Sequence, residues 1–460
     1  MFITLHYVYN IALLCLSSTL PCFPRKISNL RLLSNCYKYF INKLSTAQTM
    51  LSIHNFDHAG SAFNAVVTIQ FDSGLKSTFN LMYLLDNCTS PECQHPETKQ
   101  RTIDIFNGDD IKVNRGFEEA NKVVQHLFDN TKLEVKNNKL ICHWFSGHHS
   151  EFPREWLISH SYAPKLYTQR SLLPETACWD TNRFAEIADH GHKYTYGQLA
   201  ETLPQFLREV YTYGFGFVND VPVSLEATRE VSEMISIIRP THYDLGVWDF
   251  TSDLAKNDTA YTSLAIDMHT DGNYWNEPPG LQLFHLLEHS GGQGGETRIV
   301  DVAKIVEILV NLSKSDAAWK TAYEVLTTQP ISFHQAGEKG ACYTQNNKCI
   351  LSVSKTGQLQ QCRWNNSDRS PQFPTPTLFP VGKIYEALFR FNCLINDPKN
   401  YVQFQLTPGK ILVFDNCRVL HARNSFTGYR RLCGSYLTRD DFLARLRGII
   451  NDRNAILDAL

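Results

Sequence analysis

The sequence predicts a mainly β protein with flanking helices: a double-stranded β-helix, or jelly roll, behind a small β-rich N-terminal domain. Three observations carry this. Short apolar runs with strand character recur between residues 61 and 157 and again from about 260 to 438. A few stretches with helical spacing come before and after the second set of strands. The chain has 460 residues, 43% hydrophobic and 20% charged, which is room for one large and one small soluble domain.

The first 56 residues contain no Asp or Glu, while Arg25, Lys26, Arg31, Lys38 and Lys43 are interleaved with Ser, Leu and Tyr. Such a leader reads as a transit peptide for the mitochondrial matrix. The stretch from Ile3 to Leu20 is apolar, but no Lys or Arg precedes it as in a secretory signal. His6, Tyr7 and Asn10 interrupt it, against a membrane span. Met50 offers an internal start and thus a cytoplasmic form as the alternative. The expected division is a leader over 1–50, an N-terminal domain over 51–160 and the jelly roll over 161–460.

Residues 61–87 and 131–157 alternate apolar and polar side chains as strands do, with turn signals at Asn137-Asn138 and Gly147. Residues 195–212 and 222–238 place apolar side chains at helical spacing. Strands are expected over 280–287, 297–301 and 432–438, with a strand, turn and strand over 411–421. A C-terminal helix opens at Thr438-Arg-Asp-Asp, with Thr or Asp as cap and acids in its first turn.

A net charge of −2 calls for neither nucleic acid nor an anionic membrane as partner. No other segment is apolar for long enough to insert in a bilayer. The 13 cysteines are odd in number and scattered from Cys15 to Cys433, as free thiols in a reducing compartment are. Cys88 and Cys93 lie close together, and His148 follows much later. Two thiolates and an imidazole suit zinc; a pair of free buried thiols is the alternative.

Residues 266–272 read IDMHTDG. His269 and Asp271, two apart at a strand end, face one side. With a distant His they form a set of two imidazoles and one carboxylate that holds Fe(II) and leaves positions open for 2-oxoglutarate and O2. His242-Tyr-Asp244 matches the short motif equally well. Context separates the two. After His269 comes the turn GGQGGET, ending at Thr297, and His421 stands nine residues before Arg430. A guanidinium one strand from a metal-binding His can grip the far carboxylate of 2-oxoglutarate, and the Thr297 hydroxyl can add a hydrogen bond.

The run DTAYTSLAIDMHTDGNYWNEPPGLQLFHLLEHSGGQGGETRIVD resembles the iron-binding segment of the gamma-butyrobetaine dioxygenase / trimethyllysine dioxygenase family of Fe(II)/2-oxoglutarate-dependent oxygenases. So does FDNCRVLHARNSFTGYRRLCGSYLTRDD, and the resemblance covers residues from about 80 to the C-terminus. It implies a jelly-roll oxygenase of carnitine biosynthesis, a homodimer, that uses Fe(II), 2-oxoglutarate and O2, with ascorbate keeping the iron reduced. It implies His269, Asp271 and His421 as iron ligands, and Thr297 and Arg430 as 2-oxoglutarate-binding. The implied reaction turns N6,N6,N6-trimethyllysine into its 3-hydroxy derivative, with succinate and CO2 as coproducts. Gamma-butyrobetaine hydroxylation is the alternative, and a metal-free jelly-roll binding protein is the non-enzymatic one. In the N-terminal cluster Ser90 stands where the family's middle Cys would be, leaving Cys142, His95 or His149 as candidates for a fourth ligand.

A quaternary ammonium donates no hydrogen bond and is held by aromatic faces through cation–π attraction. Tyr243, Trp248 and Tyr261 before the iron motif, and Tyr436 after Arg430, match the family's cage positions. Asp258, eleven residues before His269, can meet the substrate's positive charge. Asp258 and the C-terminal run favour trimethyllysine over butyrobetaine.

Overall fold

The computed structural model describes residues 51–57, 62–106, 117–167, 171–188, 193–251, 262–337 and 340–459. The leader, Asp258 and Tyr261 lie outside these. The chain divides into two compact units, Met1–Gln169 and Arg170–Leu460. No helix among the described residues is long and apolar enough to cross a membrane.

The first unit holds β1 (Ser52–Asp57), β2 (Val66–Gln70), β3 (Lys76–Asn80), α1 (Leu81–Asp86), α2 (Phe117–Asp129), β4 (Lys132–Lys136), β5 (Lys139–His143), β6 (His149–Pro153) and α3 (Arg154–Ser159). The strands form two antiparallel sheets, β1-β2-β3 and β4-β5-β6. Asn137 and Asn138, at φ 50° and 60°, make the left-handed turn between β4 and β5 that their sequence signals. Val67, Ile69, Phe79, Leu140, Phe152 and Phe128 meet in one core. The short strands expected over 61–87 form as β2 and β3 but end before Leu81. Asn80 accepts hydrogen bonds from the Met82 and Tyr83 amides and starts a helix instead.

The second unit opens with α4 (Thr181–Ala188), α5 (Leu199–Tyr213), β7 (Phe215–Val218), α6 (Leu225–Ile235), β8 (Trp248–Thr251), β9 (Ile266–His269), β10 (Leu281–Ser290) and β11 (Thr297–Asp301). It continues through α7 (Val302–Ser313), α8 (Ala317–Thr328), β12 (Phe333–Gln335), β13 (Tyr343–Gln345), β14 (Leu351–Val353), β15 (Leu359–Cys362) and α9 (Val381–Ile395). It closes with β16 (Tyr401–Phe404), β17 (Ile411–Asp415), β18 (Val419–Arg423), β19 (Tyr429–Leu437), α10 (Arg439–Ile450) and α11 (Arg453–Asp458).

Two antiparallel sheets build the jelly roll: β7-β17-β10-β19-β8 and β16-β11-β18-β9. Strands β7 and β17 are buried along their whole length because both faces are covered. Leu281, Leu283, Ile411 and Val413 of the five-stranded sheet pack with Phe206 of α5, Val231 of α6 and Phe442 of α10. Val300, Leu420 and Ala422 of the four-stranded sheet pack with Ile305 of α7, Val325 of α8 and Leu388 of α9. The alternate residues Phe215, Leu412 and Phe414 from one sheet and Ile299 and Val419 from the other meet in a separate cluster. A strand period of two thus sends one set of side chains to the helices and the other to the space between the sheets. Thr438 occupies the N-cap position of α10, but its hydroxyl donates to Asp441 Oδ2 at 2.7 Å rather than capping a backbone amide itself.

Candidate active site

The space between the sheets opens into a cavity of about 1170 Å³, mouth included. His269, at the end of β9, faces His421 of β18 directly across the strand pair. Asp271 follows in the turn after β9. Its Oδ1 lies 3.1 Å from His269 Nε2 and 3.9 Å from His421 Nε2. One donor atom from each residue falls within 4.8 Å of the others.

The surroundings prepare these atoms. His269 Nδ1 donates to the Asp267 carbonyl at 2.8 Å, which leaves Nε2 turned to the cavity. Asp271 Oδ2 accepts from Gln282 Nε2 at 2.6 Å and from the Tyr436 hydroxyl at 2.9 Å. The Asn416 side chain accepts from the Asp271 amide and donates to its carbonyl, at 2.9 and 3.0 Å. The turn that follows is clamped by Arg363, which donates to the carbonyls of Asn273, Trp275 and Asn276. Burial drives the His421 imidazole down to about 3, helped by the neighbouring His269 charge, so its lone pair is available at neutral pH. Burial opposes ionisation of Asp271, yet its bond to His269 and the nearby His421 and Tyr436 hold the carboxyl well below the usual range. Two imidazole nitrogens and one ionised carboxylate, converging on open space, fit a divalent iron with free coordination positions.

One flank of the cavity is basic. Thr297 and Arg430 line it, 4% and 5% exposed, with Arg423 beside them. Arg430 Nε is buried and has no hydrogen-bond partner among the described residues. Burial and the Arg423 charge push its guanidinium down to about 10, so it stays a cation at neutral pH. Such a group fits a carboxylate of 2-oxoglutarate. The glycine turn makes this flank compact: a Cβ on Gly292 would lie 1.9 Å from the Thr427 carbonyl oxygen.

Another part of the lining is aromatic. Tyr243, Phe250, Tyr274 and Tyr436 line it. The Tyr243 and Tyr274 hydroxyls are 3.1 Å apart, and the Tyr243 and Tyr436 rings are 6.5 Å apart. Trp248 does not reach the cavity surface. It sits opposite Gly434, 1% exposed, stacked at 4.3 Å on Phe250 and packed behind it. Among the described residues the competing His242-Tyr-Asp244 gathers no set of metal donors. His242 stacks on Tyr343 at 4.9 Å, while Asp244 accepts from the Gly246 amide in an exposed turn.

Sequence reasoning missed Gln282, Asn416, Tyr274, Phe250 and Asp368. Gln282 had a signal: it is a polar side chain inside an apolar strand run, pointing to the cavity with Phe284.

Residues 182–436 match the taurine catabolism dioxygenase TauD, TfdA family, over more than half of the chain. The chain belongs to the TauD/TfdA dioxygenase family. The trimethyllysine dioxygenase of Meyerozyma guilliermondii is 36% identical over 408 residues, covering 86% of this chain and 96% of that protein. The mitochondrial trimethyllysine dioxygenase of Homo sapiens is 32% identical over 377 residues, covering 81% and 83%. The gamma-butyrobetaine dioxygenase of a Pseudomonas species is 26% identical over 396 residues, covering 84% and 94%.

In the first unit, His148 Nε2 lies 3.3 Å from Cys88 Sγ and 3.2 Å from Cys93 Sγ. Glu92 sits 3.3 Å from His148 Nδ1, the arrangement that orients a metal-binding imidazole. The Ser90 hydroxyl is 3.4 Å from Cys88 Sγ. Neither Cys142, His95 nor His149 joins this group within 4.8 Å. Burial pushes the Cys93 thiol up to about 11.

Proposed function

We propose that this protein is an Fe(II)- and 2-oxoglutarate-dependent dioxygenase that hydroxylates N6,N6,N6-trimethyllysine to 3-hydroxytrimethyllysine, with succinate and CO2 as coproducts, in carnitine biosynthesis. The observation that carries this reading is the single cavity that combines the His269, Asp271 and His421 donors with a basic flank and an aromatic one. Iron bound there supplies O2 activation coupled to oxidative decarboxylation of 2-oxoglutarate. The chain's own residues do the rest. Arg430 and Thr297 orient the cosubstrate. Tyr243, Tyr274 and Tyr436 hold the trimethylammonium, which fixes one methylene before the metal donors. Gln282 and Tyr436 keep Asp271 aimed. The apolar walls limit water.

The identity to trimethyllysine dioxygenases, above that to the butyrobetaine enzyme, supports the longer substrate. The acid-free leader and the mitochondrial designation of the mammalian relatives support a matrix location. A homodimer, ascorbate as reductant, a place for Tyr261 in the cage and for Asp258 against the substrate's positive charge rest on the family resemblance. Zinc at Cys88, Cys93 and His148, with Glu92 behind His148, would brace a small β-rich N-terminal domain.

Purified protein offered trimethyllysine and gamma-butyrobetaine in parallel tests the reading, with products identified by mass. Fe(II)-dependent succinate release with trimethyllysine, abolished by Asp271→Ala, is the expected result. Preference for butyrobetaine overturns the substrate, and unchanged turnover in Asp271→Ala overturns the metal site.

A further inference from the structure

The donor cluster of the first unit is built from two turns far apart in the chain. Cys88 follows α1, and Cys93 closes the turn after it: the Cys93 and Gln94 amides both donate to the Ser90 carbonyl, at 3.0 and 2.9 Å. His148 stands just before β6, and its carbonyl accepts from the Trp144 amide at 2.9 Å. His148 Nδ1 faces Glu92 at 3.3 Å, so Nε2 is the nitrogen turned to both sulfurs, at 3.3 and 3.2 Å. A tetrahedral zinc with bonds of about 2.3 Å to sulfur and about 2.0 Å to nitrogen spaces such atoms about 3.6 Å apart. The three donors thus stand close to one face of that tetrahedron. Among the described residues no fourth His, Cys, Asp or Glu brings a donor atom within 4.8 Å of all three. A hydroxyl stands there instead: the Cys88 thiol donates to Ser90 Oγ at 3.4 Å. This side is also the open one. Cys88 and Cys93 are buried, whereas Ser90 is half-buried and Thr89, Pro91 and Glu92 are exposed.

We infer that Cys88, Cys93 and His148 hold zinc through three protein ligands and leave the fourth position, on the Ser90 side, to an exchangeable water or small anion. This rests on the zinc reading above and deepens it. A zinc site with four protein donors is closed, and one with three keeps a place for a ligand from solution. Zinc takes thiolates, imidazoles and carboxylates, and a neutral serine hydroxyl is outside that set. The same hydroxyl donates and accepts hydrogen bonds, so it can hold a water or an anion at the metal. Charge allows the exchange. Two thiolates and a neutral imidazole just cancel a divalent ion, so an incoming monoanion meets no negative complex. The metal would tie together two turns 55 residues apart, Cys93 to His148, and still be reachable from solvent.

The test loads the full chain with Co(II) in place of zinc and reads the thiolate-to-cobalt charge-transfer absorption. His269, Asp271 and His421 include no thiolate, so this band reports on the N-terminal cluster, and Cys93→Ser should abolish it. Sodium azide is the probe. In the unaltered protein the band should shift saturably as azide is added. Ser90→Cys supplies a third thiolate: the band should gain about half its intensity, and azide should no longer move it. The same variant should hold zinc against a higher concentration of chelator. An azide-inert band in the unaltered protein overturns the open position and means a fourth protein ligand. A band in Ser90→Cys that still answers azide overturns its placement beside Ser90. Absence of the band from the unaltered protein, or its survival in Cys93→Ser, overturns the zinc reading itself. The azide titration of the unaltered protein decides between an open and a closed site even where Ser90→Cys does not fold.

Discussion

The Tyr436 hydroxyl donates to Asp271 Oδ2 at 2.9 Å, so one side chain serves as a wall of the aromatic flank and as a brace for the carboxylate proposed as a metal ligand. The two duties are separable, because the ring performs one and the oxygen the other. In Tyr436→Phe the ring remains. Affinity for Fe(II) should fall about tenfold, as when an outer partner of a metal ligand is removed. The KM for trimethyllysine should change little. Succinate release titrated with Fe(II), and then with substrate, reads both; a raised substrate KM at unchanged iron affinity would reverse the assignment.

Arg430 is buried on the flank assigned to the cosubstrate, its Nε without a hydrogen-bond partner among the described residues. Lysine keeps the charge there and loses the planar fork. Arg430→Lys should raise the KM for 2-oxoglutarate about 10- to 100-fold, with the trimethyllysine KM nearly constant. Equal effects on both would place Arg430 at the substrate instead.

His285 is fully buried in β10, its Nδ1 2.8 Å from the Thr228 hydroxyl of α6, and burial pushes its imidazole down to about 4. The unfolded chain would bind that proton near pH 6.5. Because the folded-state value is the lower one, protonation favours the unfolded chain. The contribution to stability is present above about pH 6.5 and is lost as the pH falls towards 4. Urea unfolding of the second unit should therefore show a loss of about 2 kcal/mol between pH 7 and pH 5 that His285→Asn lacks. Parallel pH profiles for the two proteins would rule this out.

The grouping of His269 with Asp271 was legible in the sequence because strand periodicity is local. His269 and Asp271 share a side by their spacing alone, and the flanking Thr297 and Arg430 distinguished them from His242 and Asp244. The strands at 280–287 and 297–301 were legible for the same reason, as apolar runs between turn signals. What escaped depends on contacts distant in sequence. Trp248 looked equivalent to Tyr243, yet its register opposite Gly434 places it behind Phe250, and residue type does not encode register. Asn416 is an ordinary turn residue until the fold brings Asp271 to it. Helices α7, α8 and α9 were not assigned, although Ile305, Val306 and Leu309 stand at helical spacing. Their apolar faces resemble the neighbouring buried strands in composition, and the distinction lies in length.

The pairing of His269 with His421 across β9 and β18 has a bearing on how the second unit assembles. A shared metal ion would tie together strands separated by about 150 residues of chain, a long loop whose closure is entropically costly in the unfolded state. A slip of one residue in β18 would present Leu420 or Ala422 in place of His421, because neighbours on a strand face opposite ways. The ion can thus report on correct threading: it binds with all three donors only when the two strands have met in register, and it then opposes their separation. Cofactor loading and the durability of the barrel become one equilibrium, and a chelator acts on the fold as well as on turnover.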